Sequence, residues 1–307
     1  LLGNVFNSAS IEILYGNTNF EFLNSTQICI TGADMNPKIN GIPVKMWEII
    51  NISKGDKLAL ESSAKNLRAY LSVKNGIELD STLNSKSTHS IFDLGGMKLS
   101  SGDIIYSSFI NNESSIKEIN FLKKIPNHLE REKVFFATKG PEFDLLSDKS
   151  KMDIEDKKFK LSNRMSRTGA LIEGSRLEVK NGTSDIISDG VSAGTIQLPK
   201  DGNMYVLLED SQRIGGYSRI LNLESTSLWA FTQLKPGDEF KFVITTIEDA
   251  QKRLKELNSI FLSNNIFSEK LFAEKDIYVE GDIMNVKIFG ESKEYIYLNN
   301  MPLKIDF

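Results

Sequence analysis

The polar groups with the clearest chemical use lie in the stretch SDGVSAGTIQLPKDG, residues 188–202. The amide of Gln197 can donate and accept hydrogen bonds at the same time, and the hydroxyls of Ser188 and Thr195 add smaller polar contacts. The stretch contains no histidine or cysteine, so it offers no obvious base or nucleophile. Its glycines and its proline constrain the backbone, which is typical of a shaped polar cleft.

Other polar stretches are candidates to complete such a cleft. They are LRAYLSVKNG (67–76) with LNSKSTHS (83–90), LSNRMSRTGALIEG (161–174) and LLEDSQRIGGYSRI (207–220). None has the glycine spacing and the closing Lys-Ser/Thr pair of a phosphate-binding P-loop. None contains the Gly-x-Ser-x-Gly turn that presents a nucleophilic serine. Taken from the residues alone, these stretches predict a polar cleft without identifying its reaction.

The composition argues against several classes of partner and cofactor. A formal net charge of -4 over 307 residues gives no basic surface for nucleic acid. No apolar run approaches the roughly 20 residues that span a membrane, and no signal segment opens the chain. The only histidines are His89 and His128, and Cys29 is the only cysteine, so we expect no metal site. Cys29 lies in an apolar strand pattern, which predicts a buried, inert thiol and fits a reducing cytoplasm.

Most of the chain has the pattern of short β-strands, and these must position the polar stretches. The segments KGDKLALES (54–62), SGDIIYSS (101–108) and PGDEFKFVI (236–244) each place Gly-Asp before a strand. Glycine takes the positive φ of a tight turn there, and the aspartate can bond the backbone after it. Such repeated strand entries indicate barrel-like β lobes.

Helical patterns are few. The spacing of apolar residues predicts one long helix over 246–265, capped by Thr246, whose apolar stripe packs on the chain's own sheet. A short helix is predicted over 140–148, with proline at its first position. The predicted domains are an N-terminal β lobe (1–125), a C-terminal β-barrel lobe with the long helix (126–265) and a small β meander (266–307).

The order and spacing of several short segments resemble one protein family. The segments are ITGADMNPKINGIPV, RAYLSVKNGIEL, LNSKSTH, LGGMKLSSGD, SNRM, IEG, SDGVSAGTIQLPKDG, DSQRIGGYSRI and LKPGDEF. Together they resemble the carboxyltransferase-like family that includes KipA, the C-type subunit of 5-oxoprolinase and the allophanate-hydrolase-type domain of urea carboxylase. SNRMSRTGALIEG is longer than the form usual in that family. The chain also opens in mid-pattern without methionine, as if an N-terminal segment of the family were absent.

The resemblance implies a mainly β fold with cyclophilin-like β-barrel lobes, to which the sequence adds one long helix in the C-terminal half. It implies the C-type subunit of an ATP-dependent 5-oxoprolinase, a hydrolase that opens the cyclic amide of 5-oxoproline to glutamate. The implied partners are a KipI-type protein, which is the B-type subunit of 5-oxoprolinase, and the A-type subunit, in a cytoplasmic heteromer. ATP is thus expected as a cofactor of the complex, with no residue of this chain assigned to it.

The resemblance also directs attention to particular side chains. Gln197 is expected to point into the barrel, where its amide suits a lactam or a ureido group. Arg68, Arg164 and Arg213 are candidate catalytic residues, because a guanidinium stabilises a developing anion. His89 is a candidate general base. The candidate substrate-binding residues are Ser188, Asp189, Gln197, Asp210, Gln212 and Tyr217.

A structural interpretation stays open for these residues. Arg68 can be a surface residue at a strand end, and His89 can be a structural histidine. Arg164, Glu173, Asp189 and Asp210 can pair with each other to brace the barrel, since buried charges need partners.

Two functional alternatives also stay open. The chain can be a carboxyltransferase component that moves a carboxyl group from biotin to a urea-like acceptor, with biotin carried by another protein. It can instead be a non-catalytic KipA-type module that binds and antagonises a KipI-like inhibitor of a kinase. The segment GGMKL at 95–99 does not support a biotin attachment site in this chain, because the second methionine of the attachment pattern is missing.

Overall fold

The computed structural model describes most of the chain. The described residues are 1–5, 7–89, 91–92, 94–108, 133–180, 182 and 184–262, with strand segments at 121–122, 267–268, 271–279, 282–289, 295–298 and 301–304. Contacts divide the chain into two compact units: Leu2–Phe109 with Pro126–Ser259, and Ile110–Ile125 with Ile260–Phe307 and Leu1. The predicted domain boundary at residue 125 lies outside the described residues and stays a prediction. Among the described helices, none is both long and apolar enough to cross a membrane.

The N-terminal part of the larger unit contains two four-stranded antiparallel sheets around one core. Its strands are β1 (Ile11–Leu14), β2 (Thr18–Glu21), β3 (Thr26–Gly32), β4 (Lys38–Ile39), β5 (Ile42–Pro43), β6 (Ile50–Ile52), β7 (Lys57–Leu60) and β8 (Arg68–Val73). The sheet orders are β1-β8-β3-β6 and β2-β7-β4-β5. Ile28 and Ile30 of β3 share a buried core with Leu58 and Leu60 of β7. Cys29 is buried as predicted, and burial raises the pKa of its thiol to about 11.

The C-terminal part of the larger unit is a closed β-barrel. Its strands are β10 (Val134–Lys139), β11 (Phe159–Met165), β12 (Gly169–Glu173), β13 (Asp185–Gly190), β14 (Thr195–Leu198), β15 (Met204–Leu207), β16 (Ile214–Leu223) and β17 (Glu239–Thr245). The order β10-β17-β11-β12-β15-β14-β16 closes on itself where β16 pairs with β10. Only the β10–β17 pairing among these is parallel, and β13 extends the sheet by pairing with the first half of β16. The predicted mainly β fold with a barrel is therefore confirmed.

Alternation along the strands fills the barrel with apolar side chains. Phe135, Phe159, Phe240 and Phe242 lie in one cluster with Phe231, and their rings meet mostly edge to face. Such edge-to-face pairs add to the stabilisation from burying large aromatic surfaces. The inward positions of the wall are therefore occupied by hydrocarbon, and polar side chains on the same strands must face the other way.

Three helices accompany the barrel in the described part of the chain: α1 (Asp148–Asp156), α2 (Ser225–Phe231) and α3 (Ile247–Leu262). The short helix predicted over 140–148 is wrong, because only a 3₁₀ turn forms at Phe143–Leu145. Helix α1 starts later, where the Ser147 hydroxyl caps it by accepting the N–H of Ser150 at 3.2 Å. The prediction of α3 is confirmed within three residues, and the N–H of Asp249 donates to the Thr246 hydroxyl at 3.1 Å.

Two of the Gly-Asp strand entries show how β7 and β17 begin. Gly55 and Gly237 take φ values of 90° and 92°, in the left-handed region that favours glycine. The carboxylates of Asp56 and Asp238 accept the N–H of Ser53 at 2.8 Å and of Lys235 at 2.9 Å. The carboxylate thus bonds the backbone before the turn, whereas the sequence interpretation placed that bond after it.

The smaller unit is also built from strands. They are β9 (Phe121–Leu122), β18 (Phe267–Ser268), β19 (Leu271–Val279), β20 (Asp282–Phe289), β21 (Tyr295–Leu298) and β22 (Met301–Lys304). Strands β19 to β22 follow one another in an antiparallel four-stranded sheet, and β9 pairs with β18. The alternating pattern near the C-terminus therefore correctly predicted a meander of strands.

Candidate functional site

A cavity of about 1250 Å³ opens along the wall of the barrel. Its lining comes from β11, β12, β15, β14, β16 and β13, which are successive neighbours in the sheet. Four of the predicted site residues meet in this lining: Arg164, Gln197, Gln212 and Tyr217. A concave surface of this size with a few convergent polar groups is the usual form of a small-molecule site.

Gln197 lies on the outer face of the barrel wall. Its neighbours Ile196 and Leu198 belong to the apolar core, so strand alternation turns Gln197 away from that core and toward the cavity. The prediction that this amide points into the barrel is therefore wrong, because apolar residues occupy the inward positions. Gln197 is 3% exposed, and its Nε2 has no hydrogen-bond partner in the described part of the chain. A buried amide donor without a partner is costly, and a ligand oxygen would satisfy it.

Gly215 makes room for this amide. A Cβ built on Gly215 would come well inside van der Waals contact with Nε2 of Gln197. Gly215 lies on β16, which pairs with β14 along the cavity wall. Gly215 and Gly216 both lie within β16, and Gly215 shapes the site by leaving space for Gln197.

The hairpin between β11 and β12 forms one end of the cavity. Arg164, Ser166 and Thr168 all line the cavity from this hairpin. The hydroxyls of Ser166 and Thr168 lie 2.6 Å apart and share a hydrogen bond. The guanidinium of Arg164 is exposed and makes no hydrogen bond or ion pair with any described residue. This end of the cavity therefore presents a positive charge beside two hydroxyls.

Lys200 and Asp185 form a second charged element of the lining. Their side chains pair at 2.6 Å. The hydrogen bond and the charge of Asp185 raise the pKa of Lys200 above its ordinary value. Lys200 therefore stays protonated at neutral pH and is unsuited to act as a base.

Arg68 lies away from the cavity lining. It is buried, its guanidinium donates to the carbonyl of Thr232, and its Nε lies 3.8 Å from Glu12. The backbone N–H of Arg68 donates to Oε1 of Gln233 at 2.8 Å, and Nε2 of Gln233 donates to the backbone carbonyl of Arg68 at 3.0 Å. Burial, with the nearby charge of Glu12, raises the pKa of Tyr70 beside it to about 12. These contacts favour a structural role for Arg68, which is buried and is therefore not the surface residue that the structural interpretation described. A catalytic role stays a prediction.

Asp210 is also held outside the lining. Arg167 donates to both of its carboxylate oxygens, from Nε at 3.0 Å and from Nη2 at 3.3 Å. The Nη1 of Arg167 donates to Glu12 of β1 at 2.9 Å. Arg167 follows Ser166 and precedes Thr168, so this pair of carboxylates fixes the hairpin that carries the cavity lining.

Of the other predicted residues near β13, Asp189 is held by hydrogen bonds, whereas Ser188 and Arg213 are exposed. Asp189 accepts from Nη1 of Arg219 at 2.8 Å and from the N–H of Gly190 at 2.7 Å, and these bonds lower the pKa of its carboxyl. Ser188 and Arg213 are exposed residues that do not contribute to the cavity lining. Substrate contacts for Ser188 and Asp189 and a catalytic role for Arg213 stay predictions.

His89 lies in the N-terminal part, outside the cavity lining. Its ring lies 4.9 Å from that of Phe92, and its backbone forms an isolated bridge with Leu94. Its Nδ1 is buried without a hydrogen-bond partner among the described residues. A role for His89 as a general base stays a prediction, and His128 lies outside the described residues.

Sequence reasoning missed several lining residues: Ser166, Thr168, Asp185, Lys200 and Tyr205. Tyr205 could have been found, since it is the cross-strand partner of Gln197 on β15 and shares its face. Lys200 stands in the same glycine-rich stretch as Gln197. No cluster of three metal-binding side chains occurs among the residues that the structure describes. The arrangement can therefore bind a small polar molecule through an amide donor, hydroxyls and a guanidinium.

Comparison with known proteins connects the chain to one family. The profile described as "Carboxyltransferase domain, subdomain A and B" matches residues 1–244. The C subunit of 5-oxoprolinase from Haemophilus influenzae is 27% identical over 265 residues, which cover 85% of this chain and 83% of that protein. That of Escherichia coli is 25% identical over 268 residues with the same coverage. The urea amidolyase of Lachancea kluyveri is 26% identical over 83% of this chain but only 15% of its own length.

Solved structures show the same fold. The urea carboxylase of Kluyveromyces lactis superposes with a TM-score of 0.76 at 22% identity. The match covers 99% of this chain and 30% of that one. The chain thus corresponds to less than a third of that protein, and the likeness at this identity concerns the fold alone.

Proposed function

Because the chain belongs to the family of the carboxyltransferase domain, subdomain A and B, we propose that it is the C-type subunit of an ATP-dependent 5-oxoprolinase. The relatives that are named as the C subunit of 5-oxoprolinase support this choice, since the matched region spans 83% of their length. In this proposal the chain acts with A-type and B-type subunits to convert 5-oxoproline to glutamate.

The observation that carries the proposal is the buried Nε2 of Gln197 at the cavity. It has no partner among the described residues, and Gln197 is part of the cavity lining. A lactam carbonyl is a strong acceptor for this donor, and the lactam N–H can in turn donate to the Gln197 oxygen. An amide facing a cyclic amide thus satisfies both partners, whereas a purely apolar ligand would leave the buried donor without a bond.

The overall reaction fixes what the cavity must do. Opening the ring adds a water oxygen to the lactam carbon and breaks its bond to nitrogen, which takes up a proton. In the ATP-coupled form, the lactam oxygen first receives the terminal phosphoryl group of ATP, one water then opens the ring to give an acyl phosphate, and a second water releases phosphate and completes the carboxylate of glutamate. This chain has no P-loop, so we assign no ATP contact to it. Its own contribution is to bind the lactam and hold the carbonyl oxygen at Gln197.

The test is reconstitution of the chain with A-type and B-type subunits. We expect glutamate formation from 5-oxoproline and ATP to require this chain. Gln197→Met keeps the side-chain length but removes the donor, and we expect kcat/KM to fall about 10-fold or more. Gln251→Met, on the exposed surface of α3, is the matched control. Turnover that does not depend on this chain would refute the proposal, and a stable complex without turnover would favour a binding module.

A second candidate function has its own support. The urea amidolyase and urea carboxylase relatives suggest a carboxyltransferase component that acts on a urea-like acceptor. A ureido group also offers a carbonyl to Gln197 and N–H groups to its oxygen. Biotin would then come from a carrier protein. Transfer of carboxyl from a biotinylated partner to urea, measured in the same reconstituted system, would identify this function instead of lactam hydrolysis.

A further inference from the structure

Arg164 differs from the other charged residues around the cavity. Its guanidinium lines the cavity and forms no hydrogen bond or ion pair within the described residues. The next arginine on the same hairpin, Arg167, is fully engaged by Glu12 and Asp210. Lys200, the other cation of the lining, is paired with Asp185 at 2.6 Å. Arg164 is therefore the lining cation that remains available to a ligand in the described part of the chain.

The other acidic residue of the lining, Asp201, does not pair with Arg164. Asp201 accepts the backbone N–H of Asn203 at 3.0 Å in its own turn. Hydrogen bonds from Asn203 lower the pKa of its carboxyl, with smaller contributions from the charges of Arg176 and Arg164. Asp201 thus lies within electrostatic range of Arg164 but forms no ion pair with it. The guanidinium of Arg164 is therefore available to a ligand in the cavity.

We propose that Arg164 binds a carboxylate of the substrate, so that the cavity selects cyclic amides that carry a carboxylate over neutral amides and urea. This inference rests on the proposed function and adds to it a residue that determines specificity. A guanidinium matches a carboxylate with two parallel hydrogen bonds, which gives both attraction and orientation. The adjacent hydroxyls of Ser166 and Thr168 are available as further donors to the same group.

The spacing of the strands is compatible with recognition at two points. Arg164 lies on β11 and Gln197 on β14, with β12 and β15 between them in the sheet. Neighbouring strands are about 4.8 Å apart, so these two backbones lie roughly 14 Å apart along the wall. A long arginine side chain, a glutamine side chain and a five-membered ring with its carboxylate together span that distance. The carboxylate would lie at Arg164 and the ring carbonyl at Gln197.

Binding of two ligands to the full chain tests this inference. 5-Oxoproline and 2-pyrrolidinone share the lactam ring, and only the first carries a carboxylate. We expect the wild-type chain to bind 5-oxoproline about 10- to 100-fold more tightly, as for a charge-assisted pair. Arg164→Gln should remove this preference and leave the Kd of 2-pyrrolidinone unchanged, and Arg164→Lys should retain part of it. Arg176→Gln should keep it, since Arg176 also acts on Asp201 but does not line the cavity.

The outcomes separate this inference from the proposed function. Equal binding of the two lactams by the wild type, or a preference that survives Arg164→Gln, would overturn the carboxylate site and leave lactam binding intact. If neither lactam binds to the chain or to its complex with the other subunits, the proposed function itself fails.

Discussion

At the residue scale, the cavity depends on how one glycine and one glutamine share space. Gly215 has no Cβ, and the amide nitrogen of Gln197 lies well inside van der Waals contact of the position where that atom would be. Gly215 has no positive φ that would strain another residue, so the requirement for glycine comes from this contact alone. Gln197 is buried and lines the cavity, and its contact with Gly215 makes the position of its amide sensitive to a single added methyl group.

We therefore predict that Gly215→Ala weakens the binding of 5-oxoproline about 10-fold, because the Gln197 amide must move. The chain should still fold, since the atom that must shift is the end of a side chain. Isothermal titration of Gly215→Ala, Gln197→Met and the double variant checks this by a double-mutant cycle. The two changes should be strongly non-additive, because both remove the same hydrogen bond. Effects that simply add would show that Gly215 acts independently of Gln197.

The sequence predicted part of the residue-scale account. Gln197 was identified because it is a bifunctional amide on a glycine-rich strand, and it does line the cavity. Its direction was wrongly predicted, because strand alternation assigns a face only after the apolar set is known. The partners of Arg68 and Asp210 are separated from them by more than 40 residues, and no local pattern indicates such pairs.

At the element scale, Arg219 fixes the edge of the cavity wall. It lies on β16 and donates from Nε and Nη2 to the carboxylate of Glu142 at 2.9 and 2.8 Å. It also donates from Nη1 to Asp189 and to the carbonyl of Gly190 on β13. The backbone pairing of β13 with β16 is interrupted by a register shift between Asp185 and Asp189. Arg219 thus holds an edge strand that carries Asp185 and Ile186 into the cavity lining.

We predict that Arg219→Met lowers the free energy of unfolding at neutral pH by about 1 to 3 kcal/mol, the usual range for lost bonds to charged groups. The hydrogen bonds from Arg219 hold the pKa of Glu142 below its ordinary value. A lowered pKa stabilises the folded state above the unfolded value, about 4.3 for Glu, and that contribution is lost as the pH falls through the folded value. The difference between wild type and variant should therefore shrink below about pH 4. Urea unfolding across pH measures it, and a constant difference would contradict this account.

The elements themselves were predicted unequally. Helix α3 was found because its apolar spacing and its Thr246 cap are local signals. Helix α2 was not predicted: its seven residues follow closely after strand β16, and the side chain of its N-cap residue Glu224 makes no capping hydrogen bond. Helix α1 was placed too early, since Pro141 marks a turn before it and the Ser147 cap was overlooked.

At the scale of the whole larger unit, polar bonds join the N-terminal sheets to the barrel. Glu12 of β1 binds Arg167, which also binds Asp210. The side chain of Gln233 bonds the backbone of Leu67 and Arg68, and Lys235 donates to the carbonyl of Ser63. Because Arg167 lies between two residues of the cavity lining, the N-terminal sheets contribute to the shape of a site that they do not line.

We predict that Arg167→Met destabilises the protein by about 2 kcal/mol, because its bonds to two largely buried carboxylates are lost. It should also raise the KM for 5-oxoproline more than it lowers kcat, since it positions the hairpin without reaching the reacting atoms. Arg176→Met, which removes an exposed arginine from the barrel, is the matched control for both measurements. A stable variant with unchanged KM would show that the link to Glu12 is not needed for the site.

The central claim is that the buried amide of Gln197 receives the carbonyl of a cyclic amide. The most direct measurement is the ¹⁵N–¹H spectrum of the side-chain amides during titration with 5-oxoproline, with the Gln197 signal assigned by its loss in Gln197→Met. The account predicts a saturable shift of the Gln197 signal, while the exposed amide of Gln251 stays in place. Saturation of binding with no change at Gln197 would contradict it.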